Sequence, residues 1–340
     1  MASRTILHVG TMKSGTSHIQ SRLFENKAAF ADAGILVPGE KWVDQVQAVR
    51  DLLTIQRRGQ KRATGVWQRL AEEMADHDGT AVISMEFLGP AAPSVIEGIR
   101  ESVDGAECVI TVRDLNRSLA AMWQETIQNG RTWTYAEYLA AAEQHAPVGE
   151  EEPEETTPAG RTFWRQQNVV RMSRDWGAAM PTTLITLPPP SGSRSLLWER
   201  FCRVLDVPGD GWADAPASNE SIGAASALML RQLNELLDES GLSFPAASTL
   251  RKKFLAKSVL ASRKREEPAI GLPVSTWVRD HSTRMVEELQ GLDLTFIGDW
   301  DELEPVDVPG IDPADVPERE IIDAAVVGLA ALVARDVKRS

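Results

Sequence analysis

The chain has 340 residues, 36 basic against 49 acidic, for a formal charge of −13, with 43% hydrophobic and 25% charged side chains. Such a length buries a sizeable core without staples and, at roughly 100–200 residues per domain, makes one large domain or two modest ones. The acidity argues against a general polyanion binder, whose affinity comes from Lys and Arg meeting phosphates, and two cysteines (Cys108, Cys202) are too few for a disulfide scaffold or a cysteine-rich zinc site. The apolar stretch ending at Val9 is too short for a signal-peptide core, and the longest apolar run, Ala324 to Ala334, falls short of the roughly 18 residues of a membrane span. The expectation is a cytoplasmic protein with no membrane span and no nucleic-acid partner.

In chain order, Thr5–Val9 reads as a buried strand, followed by a glycine-containing loop and a helix over 16–33 that Gly34 stops. Short strands follow at Ile35–Pro38, Ala81–Ser84, Cys108–Val112 and Thr182–Leu187, apolar on both faces as in a parallel sheet covered by helices on both sides. Strand alternating with helix predicts an α/β fold with a doubly wound, mainly parallel sheet. The acidic, proline-punctuated stretch around Gly149–Glu155 predicts a mobile loop over 145–162, and Asp206–Ser218 is dense in Pro, Gly and Asp. Beyond it, helices are expected at Glu220–Glu239, Ala246–Arg265, Val274–Gln290 and Glu318–Arg335. The chain then reads as one domain, with an α/β nucleotide-binding core over 1–205 and a mostly helical extension over 219–340. The apolar C-terminal helix can pack internally or across a homo-oligomer.

The segment Val9-Gly10-Thr11-Met12-Lys13-Ser14-Gly15-Thr16-Ser17-His18 carries the most chemistry. Main-chain amides of such a loop, with the open N-terminus of the following helix, form an anion cradle suited to phosphate. Gly10 and Gly15 keep the spacing of the nucleoside-triphosphate loop G-x-x-x-x-G-K-[ST], but Thr16 replaces its lysine and the cation stands at Lys13. Two further segments follow strands: Arg113-Asp114-Leu115-Asn116-Arg117-Ser118, where the planar guanidinium suits a phosphate, and Ser84-Met85-Glu86-Phe87, where a carboxylate among apolar neighbours would be raised toward a general base.

The core Lys13-Ser14-Gly15-Thr16 resembles the 5′-phosphosulfate loop of sulfotransferases that use 3′-phosphoadenosine 5′-phosphosulfate (PAPS), in a bacterial branch of that family, and the other two segments resemble its 3′-phosphate motif and its Ser-x-Glu base segment. The likeness is strongest over 5–130. It implies a P-loop-like fold and transfer of a sulfuryl group from PAPS to a hydroxyl or amine of a small-molecule, glycan or glycolipid acceptor, without metal. It assigns Lys13 and Glu86 as catalytic, and Lys13, Ser14, Gly15, Thr16, Ser17, Arg113 and Ser118 as donor-binding. Many members carry a serine eight residues after the arginine, where this chain has Ala121, so Ser118 or Arg117 is the substitute ligand. The basic stretch Arg251 to Arg265 reads first as a solvated helix face and second, by the resemblance, as a segment that closes over the 3′-phosphate. His8 reads as a core histidine, and His77, His145 and His281 are too scattered for a metal cluster. The competing readings are a catalytically degenerate nucleotide-binding protein and a P-loop kinase. The kinase needs a lysine beside Gly15 and a Walker-B aspartate.

Overall fold

The computed structural model describes residues 3–54, 64–149, 156–193, 195–215, 221–242 and 247–338. The first half runs β1 (Arg4–His8), α1 (Thr16–Glu25), α2 (Lys27–Asp32), β2 (Ile35–Leu36), α3 (Trp42–Leu52), α4 (Val66–Ala75), β3 (Thr80–Ser84), α5 (Pro93–Ser102), β4 (Ala106–Val112) and α6 (Leu115–Gln128). There follow α7 (Tyr135–Gln144), α8 (Pro158–Gln167), α9 (Val169–Gly177), β5 (Thr182–Thr186) and α10 (Leu196–Val204). The remainder is α11 (Ala224–Glu239), α12 (Thr276–Gln290), β6 (Thr295–Ile297) and α13 (Glu318–Val337).

The six strands form one parallel sheet in the order β2-β3-β1-β4-β5-β6. Successive residues of β1 enter opposite layers: Leu7 joins Ile83, Cys108 and Ile110 on one face, and Ile6 joins Val82, Val109 and Ile185 on the other. Both layers are covered by helices, which is why the strands read as unbroken apolar runs. A third apolar layer joins α6, α7 and α8 to the C-terminal helices around Trp123, Tyr138, Phe163 and Leu230. The direction of strand addition reverses around β1, and in open α/β sheets the crevice beyond the carboxyl ends at such a point is where ligands bind.

Three expectations are corrected and one is extended. The helix over 16–33 breaks at Asn26, whose amide donates to Arg22 O and Ala213 O while its oxygen accepts from Ala213 N, pinning the 206–215 stretch against the α1–α2 junction. The 219–340 stretch, expected to be mostly helical, also returns β6 to the edge of the sheet beside β5. The helix over 246–265 is wound as a π-helix at Thr249–Val259 and a 3₁₀ turn at Leu260–Arg265. Its buried residues, Arg251, Leu255, Ala256, Leu260 and Ala261, recur at intervals wider than the 3.6 of an α-helix. The loop expected to run to 162 gives way at Pro158 to α8, with Thr157 N donating to His145 Nε2 at 3.1 Å. Residues 150–155 of that loop, and Glu220, where the first helix of the C-terminal stretch is expected to begin, lie outside the described residues.

Candidate active site at the carboxyl edge of the sheet

Three adjacent strands, β3, β1 and β4, end at one edge and deliver the three segments singled out in the sequence. Beyond the paired strands the ladder continues: Met85 N donates to His8 O at 2.8 Å, and Thr11 N to Thr111 O at 2.9 Å. The turn carrying Glu86, the loop 10–15 and the Arg113 turn are therefore held side by side by backbone hydrogen bonds.

Gly15 is the N-cap of α1 at φ 88° and offers no side-chain acceptor to the first turn, so the amides there face outward as in any uncapped helix N-terminus. A Cβ at Gly15 would fall 2.3 Å from Leu197 Cδ2, and one at Gly10 would fall 2.5 Å from Thr111 Oγ1, so only glycine admits this close course of the chain. Lys13 sits at φ 65°, a left-handed conformation uncommon for a residue with a side chain. Ser14 turns inward: it is fully buried, and its hydroxyl donates to Thr11 O at 2.6 Å and lies 2.8 Å from Thr111 Oγ1. Its side chain is therefore structural, and its amide, the group expected to face a phosphate, is what remains for a ligand. Thr16 is buried, and Ser17 is partly exposed at the mouth.

Ser14 belongs to a buried polar chain beneath the loop. His8, wholly buried, places Nδ1 2.7 Å from Ser84 Oγ and Nε2 3.0 Å from Thr111 Oγ1, which meets Ser14. Burial pushes the His8 pKa down to about 3, so the ring is neutral and shares its proton within the chain.

Arg113 follows β4. Its Nε donates to Ser118 Oγ at 3.4 Å and its Nη2 to Arg117 O. Burial pushes its pKa down to about 10, Arg117 adding to the effect and Asp114 opposing it, so it stays cationic at neutral pH. Arg117 pairs with Asp114 and donates to Pro188 O at 3.2 Å. Of the two candidate substitutes for the missing serine at Ala121, Ser118 is thus joined to Arg113 and Arg117 is committed elsewhere.

The least expected feature is on the last turns of α6. Glu125 accepts from Lys13 Nζ on Oε2 at 2.7 Å and from Lys252 Nζ on Oε1 at 2.6 Å. Burial alone would raise its carboxyl, but the two ammonium groups outweigh that and hold it well below the ordinary carboxylate range. Lys252 also donates to Asn129 Oδ1 at 2.7 Å, and Arg251 Nε to Gln128 O at 3.3 Å. The front of the basic stretch is therefore not the solvated helix face expected: it is docked on the end of α6. Lys13 and Arg113 meet partners seven residues apart on that one helix, about 10 Å along its axis. Sequence reasoning gave Glu125 and Lys252 no joint role, and only their contact across the fold shows it.

Glu86 opens a single 3₁₀ turn (Glu86–Leu88) after β3. Its Oε2 accepts from Gln20 Nε2 at 2.7 Å, and the same amide nitrogen donates to Ser84 O at 3.1 Å. Gln20, one turn after Thr16 on α1, thus orients the carboxylate; the only signal for it was that i, i+4 spacing. His18 is exposed on α1. A cavity of about 20 Å³ lined by Trp164, Gln167, Asn168 and His281 lies nearby, Gln167 Nε2 donating to Met12 O at 2.8 Å; it has room for about one water.

No protein-family model and no curated protein matches the sequence. Among solved structures, the fold is similar to the crystal structure of a sulfotransferase from Alicyclobacillus acidocaldarius, at 17% identity and a TM-score of 0.42, over 75% of this chain and 96% of that one. At that identity and score, any functional reading rests on the site itself.

Proposed function

We propose that this chain is a sulfotransferase that takes a sulfuryl group from PAPS and passes it to a hydroxyl or amine of a small-molecule, glycan or glycolipid acceptor. The observation that carries the reading is the meeting of a glycine-bounded amide loop, a carboxylate and an arginine on three neighbouring strand ends around β1. The residues suit such a donor: a loop whose glycines leave no Cβ in the way, an uncapped helix N-terminus for one phosphate, and a cation at Arg113 for a second. The donor supplies an activated sulfuryl group. As the acceptor's bond to sulfur forms and the bond from sulfur to the 5′-phosphate oxygen breaks, Glu86 takes the acceptor proton and Lys13 Nζ faces the charge left on the departing adenosine 3′,5′-bisphosphate. For that, Lys13 exchanges Glu125 for the donor's oxygens. The main-chain amides of residues 13–17, with the hydroxyls of Thr16 and Ser17, hold the 5′-phosphate, and Arg113 with Ser118 holds the 3′-phosphate. The −13 charge disfavours a highly anionic polymer as acceptor. Two buried free thiols suit a reducing, cytoplasmic setting.

The kinase reading is disfavoured by Thr16 where a triphosphate loop needs lysine. The test is calorimetric titration with adenosine 3′,5′-bisphosphate beside ATP with magnesium, followed by transfer from ³⁵S-labelled PAPS to an acceptor panel. Preferential binding of the bisphosphate, weakened by Lys13→Ala and Arg113→Ala, is expected. Glu86→Gln should keep that binding and lose roughly 10²–10⁴-fold in kcat. Tighter binding of magnesium ATP overturns the reading, and binding with no transfer by the native chain makes the protein a degenerate nucleotide binder.

A further inference from the structure

Helix α13 is apolar on both sides. Its inner side packs on α11 and the π-helix: Ala324 and Gly328 are buried, and a Cβ on Gly328 would lie 3.5 Å from Met229 Cε and 3.6 Å from Leu255 Cδ2. Its outer side carries Ile322, Val326, Leu329, Val333 and Val337, between 54% and 71% exposed, with Ala325, Ala330 and Ala334 exposed between them. A surface helix normally turns a charged stripe to water, and a helix apolar all round is a buried one.

We propose that this outer face is buried against the same face of a second copy of the chain, the two α13 helices running antiparallel across a twofold axis. The pattern is its own complement. Reversed about the point between Leu329 and Ala330, Ile322 lies opposite Val337, and Val326 opposite Val333. A twofold contact requires this of a surface, since residue i meeting j obliges j to meet i. The steps from Ile322 to Val326, Leu329 and Val333 alternate four, three and four residues, the spacing of a helix–helix seam. Charge agrees with the direction. The first turn, Glu318-Arg319-Glu320, is net acidic and the helix closes on Lys338, while Arg335 is stacked on Phe254 of its own chain; the antiparallel register thus sets an acidic first turn within a turn of a basic last residue, whereas a parallel one stacks like on like. A like-charge meeting, Asp323 with the second copy's Asp336, falls among exposed residues on the rim. A groove of about 480 Å³ beside the first half of α13 is lined by Arg263, Glu266, Glu267, Glu320, Asp323 and Val326; Arg263 pairs with the buried Glu267, and Glu266, Glu320 and Asp323 leave the groove net acidic where the basic end arrives. Five aliphatic side chains of on the order of 60–100 Å² each, with the interleaved alanines, bring the two faces together to about 1,000 Å², the size at which specific interfaces begin.

The test uses the full chain. Light scattering after gel filtration from 1 to 100 µM should give twice the chain mass, and Val326→Glu with Val333→Glu should weaken dimerisation at least about 100-fold by placing charges in the seam. Because these positions face outward, circular dichroism and the unfolding midpoint extrapolated to low concentration should stay native. Direction is read from cysteines introduced singly. Leu329→Cys should form a disulfide-linked dimer under mild oxidation and Ile322→Cys should not, while a mixture of Ile322→Cys and Val337→Cys chains should. A native chain that stays monomeric at 100 µM, a dimer indifferent to the glutamates, or Ile322→Cys linking to itself as readily as Leu329→Cys each overturns the proposal. So does a monomer that instead binds phospholipid vesicles through this face.

Discussion

The two ends of α6 handle buried charge in opposite ways. At the start, Arg113 is answered by its own neighbourhood, Arg117 O and Ser118 Oγ, and Asp114 by Arg117. At the far end, Glu125 is answered by Lys13 from the loop after β1 and by Lys252 from the π-helix, parts of the chain that only the fold brings together. The first arrangement is set by one turn of backbone and survives changes elsewhere. The second exists only when three distant segments are docked, and it holds the loop lysine proposed to face the leaving group. A local cluster is a preformed binding element, and a long-range cluster reports whether the molecule is assembled around it.

Substitution at the local end should therefore have the larger and simpler effect. Arg113→Ala removes a charge-assisted contact to the proposed 3′-phosphate, and affinity for adenosine 3′,5′-bisphosphate should fall about 10–100-fold. Arg113→Lys should recover little, because one ammonium replaces a planar fork. In the comparison with adenosine 5′-monophosphate, which lacks the 3′-phosphate, native and Arg113→Ala proteins should bind almost alike. A loss of equal size for both nucleotides would make Arg113 a structural residue and dissolve the contrast.

The far end is sharpened by a double-mutant cycle. Lys13→Ala and Lys252→Ala each remove one partner of the same carboxylate, so their stability effects should be non-additive, with a coupling of about 0.5–3 kcal/mol measured by urea unfolding. Glu125 side-chain exposure is 11%, but the two lysines are 31% and 26% exposed, so solvent screens the pairs and the lower half of that range is expected. Glu125→Gln should loosen the π-helical segment, seen as faster amide exchange over 249–265, and should change stability by less than either end of the cycle predicts from full burial. Additive effects would mean that Glu125 joins nothing.

The same division explains what could be read from the chain alone. The sheet, its parallel sense and the three site segments were legible because each is a short run in which strand, loop glycine and charged residue are adjacent in sequence. The last strand was not: Thr295–Ile297 is three residues long and half-exposed at the sheet edge, too short and too wet to stand out from a loop. Neither was the π-helix, since a basic amphipathic stretch predicts an ordinary helix and only the partners of Arg251 and Lys252 on α6 fix its wider pitch. Gln20 and Glu125 were visible as residues but not as parts of a site, because their partners, Glu86 after β3, Lys13 after β1 and Lys252 on the π-helix, are distant in sequence. Ser14 reads as part of the amide loop, and what the sequence does not show is that its hydroxyl joins the buried chain through Thr111 and His8.

That buried chain gives an effect with a definite sign. An unfolded histidine binds a proton near its ordinary value of 6.5, whereas folded His8 refuses it until about pH 3, and His281, lowered by burial with Arg284 adding, until about pH 4. Between those limits the unfolded state holds more protons than the folded one, so stability is full above about pH 6.5 and is lost as pH falls through that value. Each histidine contributes a slope of up to about 1.4 kcal/mol per pH unit below it. Urea unfolding at pH 7, 6 and 5 should show the decline, and His8→Gln, which can still bridge Ser84 and Thr111 but does not ionise, should remove its own share, His281 and His18, the latter also lowered by burial, supplying the rest. The same variant separates the loop from the fold: if the chain beneath the loop orders it, His8→Gln should weaken bisphosphate binding at pH 7 while leaving the α6 cycle unchanged. A slope unaltered by His8→Gln would mean that the neutral ring is not what the acid limb of stability measures.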